Sequence, residues 1–400
     1  MTKTTRKHAE DLRAASKLAV VATSGIIDLV EEMHRTIASG PGLLGRPFAR
    51  PARALTGVVY GPIRKVTELV GVGLDAALSQ LGPLLGESAV GPDRDAILSV
   101  LNGALGDYLS ETKNPLAIEM TLRHAARALP VDASALHRVF PRAGGKILIL
   151  VHGSSMNDRQ WNRGGHDYGT ALAHDLGYAP VYVHYNSGLH ISTNGRVLVE
   201  RIDELIRAWP IAVDEISVLG HSMGGLVARS ACHIATREHA RWRPKLRRLV
   251  CLGSPHHGAP LERGGSWIDT LLGVSAYSAP MARLGRIRSA GVTDLRFGNV
   301  LDEHWEGQDR FAPARDARSR LTLPSKVACY TIAGTTAKTL RERLPGDGLV
   351  PVNSALGRHA RPDLTLNFPD DHQWIAHGTG HLDLLSRPEV YAKLRGWFAG

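Results

Sequence analysis

The hydrophobic rhythm of the chain changes near Ala143-Gly144-Gly145. Before that point apolar residues recur at steps of three and four. Leu18, Ala22, Gly25, Leu29, Met33 and Ile37 form one helical stripe, ended by Ser39-Gly40-Pro41-Gly42. Val66, Leu69, Val70, Leu74, Ala77, Leu78 and Leu81 form another, beyond a Gly-, Pro- and Arg-rich loop over 43–62. Asp95–Leu109 and Leu116–Leu129 predict two more helices, so residues 1–140 read as an all-helical region. After Gly145 the pattern alternates. Lys146–Val151, Pro180–Tyr185, Glu215–Leu219, Leu249–Leu252 and Val327–Ile332 are short apolar runs of the kind that fill buried parallel strands. Tyr168–Leu176, Arg196–Trp209 and Gly224–Thr236 carry helical periodicity between them. Strand and helix in alternation predict an α/β fold, a mostly parallel sheet flanked by helices. Residues 141–400 form that domain. The stretch 258–323 separates two of its strands and is too long for a connection, so it reads as an inserted cap or lid.

Three motifs fall where strands meet helices. Gly220-His221-Ser222-Met223-Gly224-Gly225 follows a strand and opens a helix. This is a nucleophile elbow: a tight turn that lifts the Ser222 hydroxyl out of the sheet and leaves no room for side chains at Gly220 or Gly224. His152-Gly153-Ser154-Ser155 ends the first strong strand, at the edge where open α/β sheets bind ligands. Backbone N–H groups of Ser154 and Met223 are candidates for an oxyanion hole, with His152 and Gly153 shaping the substrate side. Further on, Gly346-Asp347-Gly348 and Gly378-Thr379-Gly380-His381 offer an acid and a base in the order Ser, acid, His. A serine hydroxyl needs such a base at neutral pH. His377 and the cluster Asp370-Asp371-His372 are rivals, the cluster reading as a turn after a strand Leu364–Phe368. His256 and His257, in Ser254-Pro255-His256-His257-Gly258, read as wall or turn residues, with His257 a candidate substrate contact. No cysteine or carboxylate pattern accompanies them, so neither a metal nor another cofactor is expected.

Taken together, His152-Gly153, Gly-His-Ser-Met-Gly-Gly, Gly-Ser-Pro-His-His-Gly, Gly-Asp-Gly-Leu-Val-Pro and Gly-His-Leu-Asp-Leu-Leu make the region after Gly144 resemble an α/β-hydrolase of the lipase/esterase superfamily. It is similar to the bacterial branch related to GPI inositol deacylases and triacylglycerol lipases. The resemblance implies ester hydrolysis with Ser222, Asp347 and His381 as a triad. Ser154-Ser155 departs from the apolar residue many lipases carry after His-Gly, which bears on the acyl-pocket wall and not on a backbone donor. The same triad also serves acyltransferases and thioesterases, and a non-catalytic module binding a membrane or a partner is the reading from a different class.

Charge and cysteine content narrow the partners. Formal charge is +10, with +2 on residues 1–140 and +8 on the rest. A basic surface favours anionic partners, here an acidic membrane met through Arg237–Arg248 or Arg310–Arg343. Aromatic residues are only 6% and do not interleave with these stretches, so nucleic acid is not expected. The substrate expected is a small-molecule or lipid ester. Cys232, Cys251 and Cys329 cannot build a disulfide framework and fit a reducing compartment. No apolar run is long enough to span a bilayer. Glu10, Asp11 and Lys17 interrupt the start of the chain, which reads as an amphipathic helix and not a cleaved leader. The expectation is a cytoplasmic protein with peripheral membrane contact.

Overall fold

A computed structural model describes residues 92–141, 144–259, 289–308, 315–339 and 344–400. The helices expected over 10–38 and 66–81, the loop 43–62, the insertion residues 260–288 and the ends of the basic stretch Arg310–Arg343 lie outside the described residues. The chain divides into two compact units, Met1–Leu98 with Ile268–Ile287, and Ser99–Trp267 with Arg288–Gly400. Every described strand belongs to the second.

Helix α1 (Pro92–Glu111) enters this unit at Ser99, followed by strands β1 (Thr121–His124) and β2 (Arg127–Ala128) and helix α2 (Ala133–Val139). Strand β3 (Lys146–Val151) leads to a two-residue ribbon, β4 (Asn162–Arg163) and β5 (His166–Asp167), then to α3 (Tyr168–Leu176) and β6 (Ala179–His184). Next come α4 (Ile191–Ala208), β7 (Glu215–His221), α5 (Met223–Arg237) and β8 (Leu246–Leu252). The short α6 (Ala290–Asp294) precedes β9 (Ala328–Thr335), α7 (Val352–Ala355), β10 (Gln373–His377) and α8 (Pro388–Ala399).

Among the described residues eight strands form one sheet in the order β10-β9-β8-β7-β3-β6-β1-β2. From β10 to β6 every neighbour is parallel. The apolar runs of β3, β7 and β8 lie in the middle and are almost entirely buried, which is why they read as continuous hydrophobic segments. Helices α4 and α5 pack on each other, while α3 packs on β6 and meets α8, where Tyr168 and Tyr391 stack at 5.8 Å. All three cysteines are free and buried. Among the described residues no helix is long and apolar enough to cross a membrane.

Two expectations need correction. Leu116–Leu129 is not a helix. It holds the hairpin β1–β2, which extends the sheet antiparallel to β6 through pairs such as Leu122 with Val183. The sheet therefore recruits residues well before 141, and an all-helical region to residue 140 does not hold. The turn of this hairpin is Ala125-Ala126, both at positive φ (48° and 59°), where the usual sequence signal is Asn-Gly. The last parallel strand is Gln373–His377, not Leu364–Phe368. Leu364, Leu366 and Phe368 are buried alternately, but they make no ladder; the Leu366 N–H donates to Gly357 O instead.

Candidate active site

The parallel order brings the C-terminal ends of β3, β7, β8 and β9 to one edge of the sheet. His152, Ser222, Gly253 and, one loop on, Asp347 all follow those ends. Ser222 occupies the single position between β7 and α5, at φ 54° and ψ −124°. For a residue with a Cβ this region is strained by ~1–3 kcal/mol, and the surroundings must hold it. The Ser222 N–H donates to Leu252 O (2.8 Å), and Ser222 O accepts from the Gly225 N–H (3.1 Å). Close approach of α5 to β3 depends on Gly224. A methyl group there would lie 2.1 Å from Val151 O and 2.5 Å from His152 O. Both atoms are backbone, so Gly224→Ala is expected to push α5 off the sheet edge and to destabilise the fold by about 3 kcal/mol. Thermal unfolding checks this; a melting temperature equal to wild type would contradict it.

Asp347 and His381 meet in the interior. His381 Nδ1 donates to Asp347 Oδ2 at 2.7 Å, and the His381 N–H donates to Asp347 O at 2.9 Å. The other carboxylate oxygen, Oδ1, accepts from the N–H groups of Leu349 (3.0 Å) and Val350 (2.8 Å). These bonds curl the loop around Asp347, and Gly348 supplies the turn at φ 100°. Asp347 is 3% exposed, His381 1% and Ser222 4%. His381 Nε2 is buried with no hydrogen-bond partner among the described residues. β8 floors the pair, since the Cβ position of Gly253 lies 3.1 Å from Asp347 Oδ2 and 3.3 Å from His381 Cε1. His221, next to Ser222, reaches the same place. Its Nε2 donates to His381 O (3.1 Å), and the two rings lie 4.7 Å apart. Burial, followed by the neighbouring His381, holds the His221 pKa well below the ordinary histidine value. His221 is thus a neutral clamp on the backbone of His381, a role its place inside the elbow motif does not announce.

The turn after β3 lies against the elbow, the Cβ position of Gly153 being 3.0 Å from Ser222 Cβ and 3.3 Å from His221 Nδ1. His152 is fully buried. Its Nδ1 donates to Gly153 O (2.8 Å), and its ring stacks on Tyr185 at 4.3 Å. The Tyr185 hydroxyl in turn donates to His152 O (2.8 Å). Burial lowers the His152 pKa to about 4, so the ring is neutral and shapes the turn. Among the described turns and loops, neither the Ser154 N–H nor the Met223 N–H is engaged by a backbone carbonyl. Ser222, Asp347, His381, His152, Gly153, Ser154 and Met223 are therefore gathered at one edge.

His257 is not among them. Its Nε2 donates to Gly357 O (2.9 Å), and its Nδ1 accepts from Arg318 Nη2 (3.3 Å). Arg318 also binds Asp316, His256 O and Gly298 O, and Arg229 Nη1 donates to His256 Nδ1 (3.2 Å). These residues tie the loop after β8 to the strand-free segment 315–321. The rival carboxylates Asp370 and Asp371 lie in a short 3-10 turn at the start of β10, where His372 Nδ1 donates to Cys329 O (3.0 Å). His377 ends β10. Among the described residues no group of histidines, cysteines and carboxylates is arranged to hold a metal ion.

Residues 142–323 match the family model of the PGAP1-like alpha/beta domain. The matched residues run from just before β3 to beyond α6. The chain is similar to the mature lipase BlEst2 of Bacillus licheniformis, at 15% identity and TM-score 0.42, over 70% of this chain and 98% of that one. The RedJ thioesterase of the prodiginine pathway of Streptomyces coelicolor aligns at 16% identity and TM-score 0.36, over 65% and 91% of the two chains. The lipase of Staphylococcus hyicus aligns at 12% identity and TM-score 0.36, over 64% and 94%. No curated protein sequence matches this chain.

The basic stretch Arg237–Arg248 lies at the other end of the sheet. It leads into the N-terminal end of β8 and exposes Arg237, Arg241, Lys245 and Arg247.

Proposed function

We propose that the protein is a serine carboxylic-ester hydrolase. The observation that carries this reading is the buried Asp347–His381 pair, whose Nε2 has no hydrogen-bond partner among the described residues, at the same sheet edge as a serine on a strained elbow. His381 Nε2 takes the proton of the Ser222 hydroxyl as Ser222 Oγ bonds to the acyl carbon. Asp347 holds the imidazole with its proton on Nδ1 and stabilises the imidazolium that forms. The tetrahedral oxyanion accepts hydrogen bonds from the N–H groups of Ser154 and Met223, each worth ~3–4 kcal/mol of barrier. The carbon–oxygen bond to the alcohol breaks, and His381 returns the proton to the leaving oxygen. Water, deprotonated by the same nitrogen, then cleaves the acyl-enzyme.

The apolar residues Trp267, Leu271, Leu272, Tyr277 and Met281 of the insertion 258–323, expected from the sequence to form a cap, lie outside the described residues. Contact of Arg237–Arg248 with an anionic membrane would present the sheet edge opposite to Ser222, so that contact does not itself deliver the substrate.

A fluorophosphonate label mapped by mass spectrometry tests the assignment, alongside hydrolysis of p-nitrophenyl esters of short and long chain. The label is expected on Ser222, and Ser222→Ala is expected to lose hydrolysis by roughly 10⁴-fold or more. Silence of the wild type at every chain length, or equal turnover by the variant, would sink the proposal. A rate that rises when an alcohol or thiol acceptor replaces water would assign the same triad to acyl transfer.

A further inference from the structure

The turn that carries Ser154 is itself under strain and is gripped from outside. Gly153–Met156 is closed by the Met156 N–H donating to Gly153 O (3.3 Å), with Ser155 at φ 58°. A serine in this left-handed region is unfavourable by ~1–2 kcal/mol, so something must hold it. The Ser155 N–H donates to Ser187 Oγ at 2.9 Å. Ser187 lies in the loop 186–188, which is fastened on two sides. Asn186 Nδ2 donates to Gly106 O of α1 (2.8 Å), and the Gly291 N–H of α6 donates to Gly188 O (3.0 Å). Helix α1 also touches the turn directly. A methyl group at Gly103 would fall 2.0 Å from Ser155 Oγ and 2.9 Å from Ser155 Cβ. The helix is anchored in that position by Ser289 Oγ, which donates to Gly103 O (2.7 Å), and by Asp107 Oδ2, which accepts from the Ala290 N–H (3.0 Å).

We infer that α1 is a positioning element of the oxyanion hole, acting through the Gly103–Ser155 contact and the Ser187–Ser155 hydrogen bond to fix the turn that aims the Ser154 N–H. This rests on the reading of Ser222 as the nucleophile. The chain ahead of β3 is then part of the catalytic apparatus. The glycine is needed because the helix backbone must come within van der Waals reach of a serine that already occupies a forced conformation. Ser154 contributes only its N–H; its hydroxyl is buried and has no hydrogen-bond partner among the described residues. The steadying comes from Ser155, one residue on.

The geometry supplies its own rescue experiment. Gly103→Ala is expected to lower kcat roughly 100-fold, the size of losing one oxyanion donor, with KM within about twofold. Ser155→Gly removes the Oγ and Cβ that the new methyl would strike, leaving only the Cα of that position at 3.0 Å, and suits the positive φ. The double variant Gly103→Ala, Ser155→Gly is therefore expected to return to within about threefold of Ser155→Gly alone. A purely structural role for α1 would lower the melting temperature and leave kcat per folded molecule untouched. Unchanged kcat in Gly103→Ala, or a loss that persists in the double variant, overturns the inference. If Gly103→Ala does not fold, Ser187→Ala carries the test, with the same fall in kcat expected and an unaltered kcat overturning it. Should the wild type hydrolyse no ester, the nucleophile assignment falls separately. Amide hydrogen exchange of the peptide spanning 153–156 then decides the positioning claim. Exchange is expected to quicken in whichever of Gly103→Ala and Ser187→Ala folds. Unchanged protection would refute it.

Discussion

Asp347→Asn is expected to lower kcat by roughly 10⁴-fold in the proposed mechanism, while KM and the melting temperature stay near wild type. The size follows from which atoms Asp347 touches. Oδ1 accepts two backbone N–H groups, from Leu349 and Val350, at 3.0 and 2.8 Å. An asparagine must place its carbonyl oxygen there, because its NH2 group would face two donors. The NH2 group is then forced into the position of Oδ2, against His381 Nδ1, which now sits 2.7 Å from a carboxylate oxygen. With a donor in that place, Nδ1 must accept, and the imidazole proton moves to Nε2. A ring protonated on Nε2 cannot take the proton of Ser222. The carboxylate is buried, so water does not rescue the tautomer. Steady-state kinetics with a p-nitrophenyl ester, beside a thermal melt, measure the two quantities separately. A variant with full kcat would move the acid role to another carboxylate, for which Asp383 is the nearest in sequence.

The elbow and the strands around it were legible because their physics is local. A strand with neighbours on both sides and both faces covered is apolar where it is buried, so Ile147–Val151 of β3 and Leu249–Leu252 of β8 stand out from any surroundings. The turn at Ser222 forbids a Cβ at Gly220 and Gly224, and that prohibition is written as glycine. What stayed hidden depends on partners far along the chain. Thr121-Leu122-Arg123-His124 has no strand signature of its own; pairing with β6 makes it one, and the hairpin turns on two alanines at positive φ. Gln373–His377 is an edge strand with one neighbour, so its residues are only partly buried and show no apolar run. Helix α4 starts at Ile191, five residues ahead of the expected start. A cap is expected near Asn194, yet Asn194 and Gly195 lie inside the helix, and α5 packs closely on Gly195: a methyl group would sit 2.5 Å from Ser230 Oγ. Within the site, Ser222, Asp347 and His381 could be singled out because each stands in a glycine-flanked motif. The supports could not. His221, Tyr185, Ser187 and Gly103 act by contact with residues distant in sequence, and no spacing rule reports such contacts.

Acidification from pH 7 to pH 5 is expected to unfold the protein far more readily than its carboxylates would suggest, because several histidines are buried neutral. Burial lowers the pKa values of His152, His257 and His304 to about 4. His221 and His256 lie well below the ordinary value of 6.5, again chiefly through burial. Their neighbours deepen the effect. His256 faces Arg229, His257 and Arg318, and His221 faces His381, His152 and Arg163, so a proton on either ring would add positive charge to a site already cationic or shared with other imidazoles. In the unfolded chain these rings titrate near 6.5. Below that value the unfolded state binds protons that the folded state refuses, so stability is full above pH 6.5 and falls as pH drops towards 4. Each histidine that charges only on unfolding contributes a slope of up to about 1.4 kcal/mol per pH unit. Two of them acting together over one and a half units already approach the whole stability of an ordinary domain, ~5 kcal/mol. Trp161 and Trp242, 1% and 0% exposed, give a fluorescence signal for the transition. Urea midpoints at pH 7.5, 6 and 5 are expected to fall steeply across the series, with more than one proton taken up per molecule unfolded. A flat series would show that these rings already carry protons in the folded state or that the unfolded chain keeps them buried. Activity lost in the same range would follow the fraction folded, which the fluorescence reports independently of Ser222.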